Sequence, residues 1–149
     1  MEQIHYQRIL APVDGSKVTA RVVDHATAVA KRNHAHLDLL NVVQINQIND
    51  GYAKAQSISG DQAYNLVTLT EARLNDLKRR AKKNGLDDVS IHVRFGNPKR
   101  VIARDFLRDH HNDLIVIGAT GLSSVERMLG GSVTPYVVRN APCDVIVTH

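Results

Sequence analysis

The chain has 149 residues, 43% hydrophobic and 23% charged, with a formal net charge of +4. That length suits one domain over 1–149, because a chain of this size buries roughly 70% of its unfolded surface around one core, and the ordinary balance of apolar and charged residues excludes a disordered protein. No apolar run approaches the roughly 20 residues that span a bilayer, and the opening MEQIHYQRILAPVDG lacks a basic start leading into an apolar core, so a cytoplasmic protein is expected.

The first apolar run, Ile9-Leu10-Ala11-Pro12-Val13, ends in the turn residues Asp14-Gly15-Ser16 and predicts a buried strand. From Val18 the period changes. Val22, Ala26 and Val29, joined by Val23 and Ala30, lie on one helical stripe and predict a helix of about 15 residues ending near Asn33. Leu37, Leu39, Leu40, Val42 and Val43 form a second run that is too short for a typical helix and suits a strand covered on both faces.

The connection 44–62 is polar, contains Gly51 and Gly60, and shows no sustained period; a stretch this long is either mobile or a lid over a site. Ala63, Val67, Thr70, Leu74, Leu77 and Ala81 then keep helical spacing, with Gly85 placed to stop the helix. Lys78, Arg79, Arg80, Lys82 and Lys83 crowd its last turns, where cations oppose the helix dipole on a solvated face. Without interleaved aromatics or a nucleic-acid motif, they do not indicate a nucleic-acid surface.

Val89, Ile91 and Val93 alternate with Ser90, His92 and Arg94, as in a half-exposed strand at a sheet edge. After Gly96-Asn97-Pro98, the residues Val101, Ile102, Phe106 and Leu107 predict an amphipathic helix, and Leu114-Ile115-Val116-Ile117 a buried strand that ends at Gly118. A last helix should run from near Ser132 to Asn140, followed by the strand Asp144-Val145-Ile146-Val147. Alternation of this kind predicts a mostly parallel sheet with right-handed crossovers and helices on both faces. Cys143, the one cysteine, sits in the apolar setting APCDVIV and reads as a small core residue.

The chemistry concentrates in Gly118-Ala119-Thr120-Gly121, nine further residues, and then Gly131-Ser132-Val133-Thr134. Glycine lets backbone N–H groups approach a phosphate closely, and a helix start adds unpaired N–H groups and a positive dipole end. Pro135 belongs in the first turn of that helix, which leaves the amides of Gly131, Ser132, Val133 and Thr134 as phosphate donors. The hydroxyls of Ser132 and Thr134 offer added contacts, and Arg127 offers charge to the outer phosphates. Taken alone, the glycines are equally compatible with a strand, loop and capped helix that bind nothing.

Eight histidines include His34 and His36, two apart, and the adjacent His110 and His111. No cysteine or acidic partner recurs at ligand spacing, so no metal site is expected. Asp14 reads either as a ligand contact or as a turn or cap aspartate.

The spacing Gly-x2-Gly-x9-Gly-Ser followed by Val-Thr resembles the nucleotide-binding signature of the ATP-binding branch of the universal stress protein family. The segments 9–16, Leu40-Asn41-Val42, Gly96-Asn97-Pro98 and 141–147 are similar to that family at corresponding places, and the resemblance covers nearly the whole chain. It implies that Pro12, Val13, Asp14, Val42 and Ile117 surround the base and ribose, with Asp14 the polar contact. It further implies that Gly118, Gly121, Gly131, Ser132 and Val133 hold the phosphates of ATP or another adenine nucleotide accompanied by Mg2+. Ala119 stands where many relatives have serine, so one hydroxyl is absent.

The expected architecture is a doubly wound five-stranded sheet of order 3-2-1-4-5, whose switch point lies between the first and fourth strands, where Asp14 and Gly118 end them. The expected function is that of an ATP-binding stress-response or regulatory protein acting through conformation or partner association, without required catalysis. The alternatives are an ATP-independent dimeric interaction module and a slow ATP hydrolase using Glu126 or Asp14. A homodimer through the C-terminal edge strand is expected from its apolar, uncovered edge as well as from the resemblance.

Overall fold

Short apolar runs become strands where the computed structural model describes the chain, at residues 5–16, 18–44, 60–119 and 133–149. β1 spans Arg8–Pro12, β2 His36–Val43, β3 Val89–Phe95, β4 Leu114–Gly118 and β5 Asp144–Thr148. They form one sheet of order β3-β2-β1-β4-β5, and every pairing is parallel. The expected 3-2-1-4-5 order is the observed one. β1 registers with β2 from Arg8 against His36 to Pro12 against Leu40, and with β4 through Ile9 against Leu114. Its central place explains why Ile9, Leu10 and Ala11 are all fully buried.

Side-chain alternation along the strands divides the core into two layers. Ile9, Ala11, Leu37, Leu39, Leu114 and Val116 pack against α1 (Thr19–Asn33) and α2 (Gly60–Lys83). Leu10, Leu40, Ile115 and Ile117 face the opposite layer, made by the helical stretch 98–110, here α3, and by α4 (Val133–Asn140). Helices on both faces explain strands with almost no polar alternation at the sheet centre.

α1 ends where His34 takes a left-handed φ of 53° and the N–H of Ala35 reaches back to the carbonyl of Ala30 at 2.9 Å. α2 ends at Gly85, whose φ of +100° suits a residue without Cβ. The basic turns at its end are engaged with acids: Arg80 grips Asp24 of α1 through two 2.7 Å bonds, and Arg79 pairs with Asp76.

α3 starts at the cap Asn97, whose side chain accepts the Lys99 N–H at 2.9 Å, with Pro98 in the first helical position. Its middle, Val101–Asp105, is a π-helical turn between two α-helical pieces. The wider turn lets three successive residues, Val101, Ile102 and Ala103, all be buried. Neither this turn nor the start of α2 at Gly60, three residues ahead of its first apolar stripe residue, is signalled by the apolar spacing.

Candidate functional site

At the carboxyl end of β1 the chain must leave the sheet between neighbours whose crossovers run in opposite directions, β2 on one side and β4 on the other. Doubly wound sheets hold ligands in the crevice this creates. Asp14 stands at that exit, and its two oxygens do different things. Oδ1 accepts the Ser16 N–H at 2.8 Å and lies 3.0 Å from the Thr19 hydroxyl, so it builds the turn into α1. Oδ2 is buried and has no hydrogen-bond partner among the described residues. Burial raises the Asp14 pKa, against the lowering effect of its bonds to Ser16 and Thr19 and of the nearby Arg73 charge. The turn reading and the ligand reading of Asp14 therefore describe different atoms of one side chain.

Beside Asp14 a groove of about 340 Å³ runs across the strand ends, part of it open to solvent. Pro12, Val13 and Asp14 form one wall, and Leu40, Val42 and Gln44 from the end of β2 form the floor. Pro98 and Ile102 of α3 and Val133 of α4 close the far side. The groove's water-accessible interior is only about 40 Å³, well below the roughly 300–1,000 Å³ of ligand pockets, so the described walls enclose less than a whole nucleotide.

Pro12, Val13, Asp14 and Val42 thus line one groove, and Val133, expected among the phosphate ligands, lines it with them. Ile117 does not line this groove; it is fully buried in the layer under α3 and α4 because the β4 alternation turns it into the core. Gly118 ends β4 opposite Thr148, and its carbonyl accepts the buried Thr134 hydroxyl at 2.7 Å. That bond commits the Thr134 proton to joining α4 to β4, in place of the free hydroxyl expected at a phosphate. Gly121, Arg127, Gly131 and Ser132, with Glu126, lie outside the described residues.

Leu40, Gln44, Pro98 and Ile102 belong to the groove and were not among the residues expected there. Leu40 and Pro98 had a signal, since each adjoins or ends a quoted segment. Arg73 had none. It falls on the exposed face of α2, yet a Cβ added to Gly15 would lie 2.7 Å from its Nη1, which places its guanidinium over the β1–α1 turn. Cys143 is half-buried beside the α3–α4 layer, and burial pushes its thiol up to about 11, in keeping with a packing role.

A doubly wound parallel sheet with a groove at its switch point, and with a carboxylate oxygen there that has no partner among the described residues, defines an α/β protein of the open-sheet class. The sequence profile of the Universal stress protein family matches residues 5–149. The chain belongs to the universal stress protein family. A curated Staphylococcus aureus relative named for that family is 36% identical over 146 residues, covering 98% of this chain and 86% of its own. Among solved structures, the universal stress protein UspA from Lactobacillus plantarum is 29% identical with a TM-score of 0.75, covering 99% of this chain and 100% of that one. A universal stress protein in complex with cAMP is 26% identical with a TM-score of 0.69, and 98% of each chain is covered.

Proposed function

We propose that this chain is an adenine-nucleotide-binding stress-response protein of the cytoplasm, with ATP and accompanying Mg2+ as its ligand, and that occupancy alters its conformation or its association with a partner. The observation that carries this reading is the buried Oδ2 of Asp14, which has no hydrogen-bond partner among the described residues and stands at the edge of the groove. A buried acceptor left without a donor costs free energy, and a ribose hydroxyl or exocyclic amine supplies the missing hydrogen. Val13, Val42 and Ile102 offer the apolar faces a purine needs. The cAMP complex of a family relative supports an adenine nucleotide as the class of ligand.

The phosphates would extend toward the amides of Gly118, Gly121, Gly131, Ser132 and Val133, with Arg127 near the outer groups. The groove is lined from β1, β2, α3 and α4, so a bound nucleotide touches all four elements at once. Those contacts give occupancy a differential grip on their arrangement, which is what a ligand needs to shift a conformational equilibrium. Nothing in this scheme requires the nucleotide to be cleaved.

Thermal unfolding of the purified protein tests it. Saturating Mg-ATP should raise the melting temperature by mass action, and Gly131→Val should remove that rise. An unchanged melting temperature with ATP, ADP and cAMP alike would exclude the nucleotide reading and leave an ATP-independent interaction module.

A further inference from the structure

At the opposite end of the sheet face that carries the groove, an aspartate interrupts the apolar β2. Asp38 is fully buried, and four side chains converge on it. Oδ1 lies 2.8 Å from Nε2 of His92 and 3.0 Å from Nε2 of His36. Oδ2 accepts from Nδ2 of Asn112 at 2.9 Å and from Nη2 of Arg8 at 3.0 Å. A third histidine ring, His110, stands 4.8 Å from His92 between centroids and stacks on Phe106 at 4.2 Å. One ligand atom each from Asp38, His92 and His110 lies within 4.8 Å of the others.

We propose that Asp38, His92 and His110 form a binding site for one borderline divalent cation of the Zn2+ type. Two imidazole nitrogens and one carboxylate oxygen are the donors such an ion prefers, and three protein ligands leave a fourth position for water. Tetrahedral coordination with bonds of about 2.0–2.1 Å separates ligand atoms by about 3.4 Å, so closing the site needs only a side-chain adjustment. The 2.8 Å between His92 Nε2 and Oδ1 is a hydrogen-bond distance, which a bound ion would open by about 0.6 Å.

The surroundings are those of a metal site's outer layer. Arg8 and Asn112 hold Oδ2 and fix the carboxylate, while Oδ1 faces the Nε2 atoms of His92 and His36. His36 is oriented in turn by Asp88, whose Oδ1 lies 2.7 Å from its Nδ1. The ring nitrogens of His110 have no hydrogen-bond partner among the described residues. Two buried atoms of the same cluster, Asn112 Oδ1 and Arg8 Nε, are also unpartnered among the described residues, so the network is incomplete as hydrogen bonds alone.

Sequence spacing concealed this arrangement because the ligands come from three elements. Of the two close histidine pairs, one member each approaches the cluster, and His92, which belongs to neither pair, completes it.

Chelator-treated full-length protein, free of nucleotide, should bind one equivalent of Zn2+ in calorimetry and give a four-coordinate visible spectrum with Co2+. His110→Ala and His92→Ala should each weaken binding by about tenfold or more, whereas His5→Ala, an exposed control, should not. If His92→Ala fails to fold through loss of its Asp38 bond, His110→Ala alone decides. No saturable Zn2+ binding, or equal binding by wild type and His110→Ala, would overturn the site.

Discussion

Asp14 carries both a turn and an open acceptor, and the two roles predict opposite responses to one substitution. Burial raises its folded-state pKa above the unfolded value of about 3.9, so the native state favours the protonated side chain. Its stabilising effect is complete below the unfolded pKa and is lost as pH rises through the folded pKa. Asp14→Asn is therefore expected to raise the melting temperature at pH 7, with the gain shrinking toward pH 4. The same change should weaken ATP roughly tenfold to hundredfold, since a hydrogen bond to a charged group is worth about 1.5–3 kcal/mol. Calorimetric unfolding across that pH range, beside titration with ATP, checks both signs. Lower stability together with unchanged affinity would make Asp14 a turn residue only.

At the scale of elements, the groove depends on how α3 and α4 meet the sheet. Thr134 joins the start of α4 to the end of β4 through the Gly118 carbonyl. Thr134→Val keeps the shape and removes that bond, so it should cost about 1 kcal/mol of stability and reduce ATP affinity, and Thr134→Ser should restore both. Chemical denaturation and ATP titration of the two variants measure this; a Val variant equal to wild type in both would show that the bond positions nothing.

The same elements show what sequence alone made legible. Strand and helix spacing carried the β-α alternation: short apolar runs between turn residues suit strands covered on both faces, and the alternation of Val89, Ile91 and Val93 suits an edge strand. Asp14 followed from the end of the first strand, while Val13 and Val42 came from the family resemblance. The π-turn of α3 was not legible, since burial of Val101, Ile102 and Ala103 in succession depends on a backbone irregularity that no period encodes. Asp38 was hidden by its neighbours Leu37, Leu39 and Leu40, and three of its four partners, Arg8, His92 and Asn112, arrive from outside β2. Ile117 was misplaced by adjacency: it precedes Gly118, yet alternation sends it to the core.

For the whole molecule, the sheet ends at β5, which pairs only with β4 among the described residues. Val145, Ile146 and Val147 are only partly buried there. An edge of this kind invites a second strand, so we expect two chains joined through β5. Light scattering after size exclusion should give twice the chain mass at micromolar concentration, and a strictly monomeric mass would exclude the pairing.

Two chains joined in this way would each open a groove at the β1–β4 switch point. The most direct measurement is a crystal structure of the protein grown with ATP and Mg2+. The account predicts an adenosine lying among Val13, Val42 and Ile102, with a ligand donor within hydrogen-bond distance of Asp14 Oδ2 and the phosphates directed toward the start of α4. A nucleotide bound elsewhere, or a groove that stays empty at saturating ATP, would contradict it.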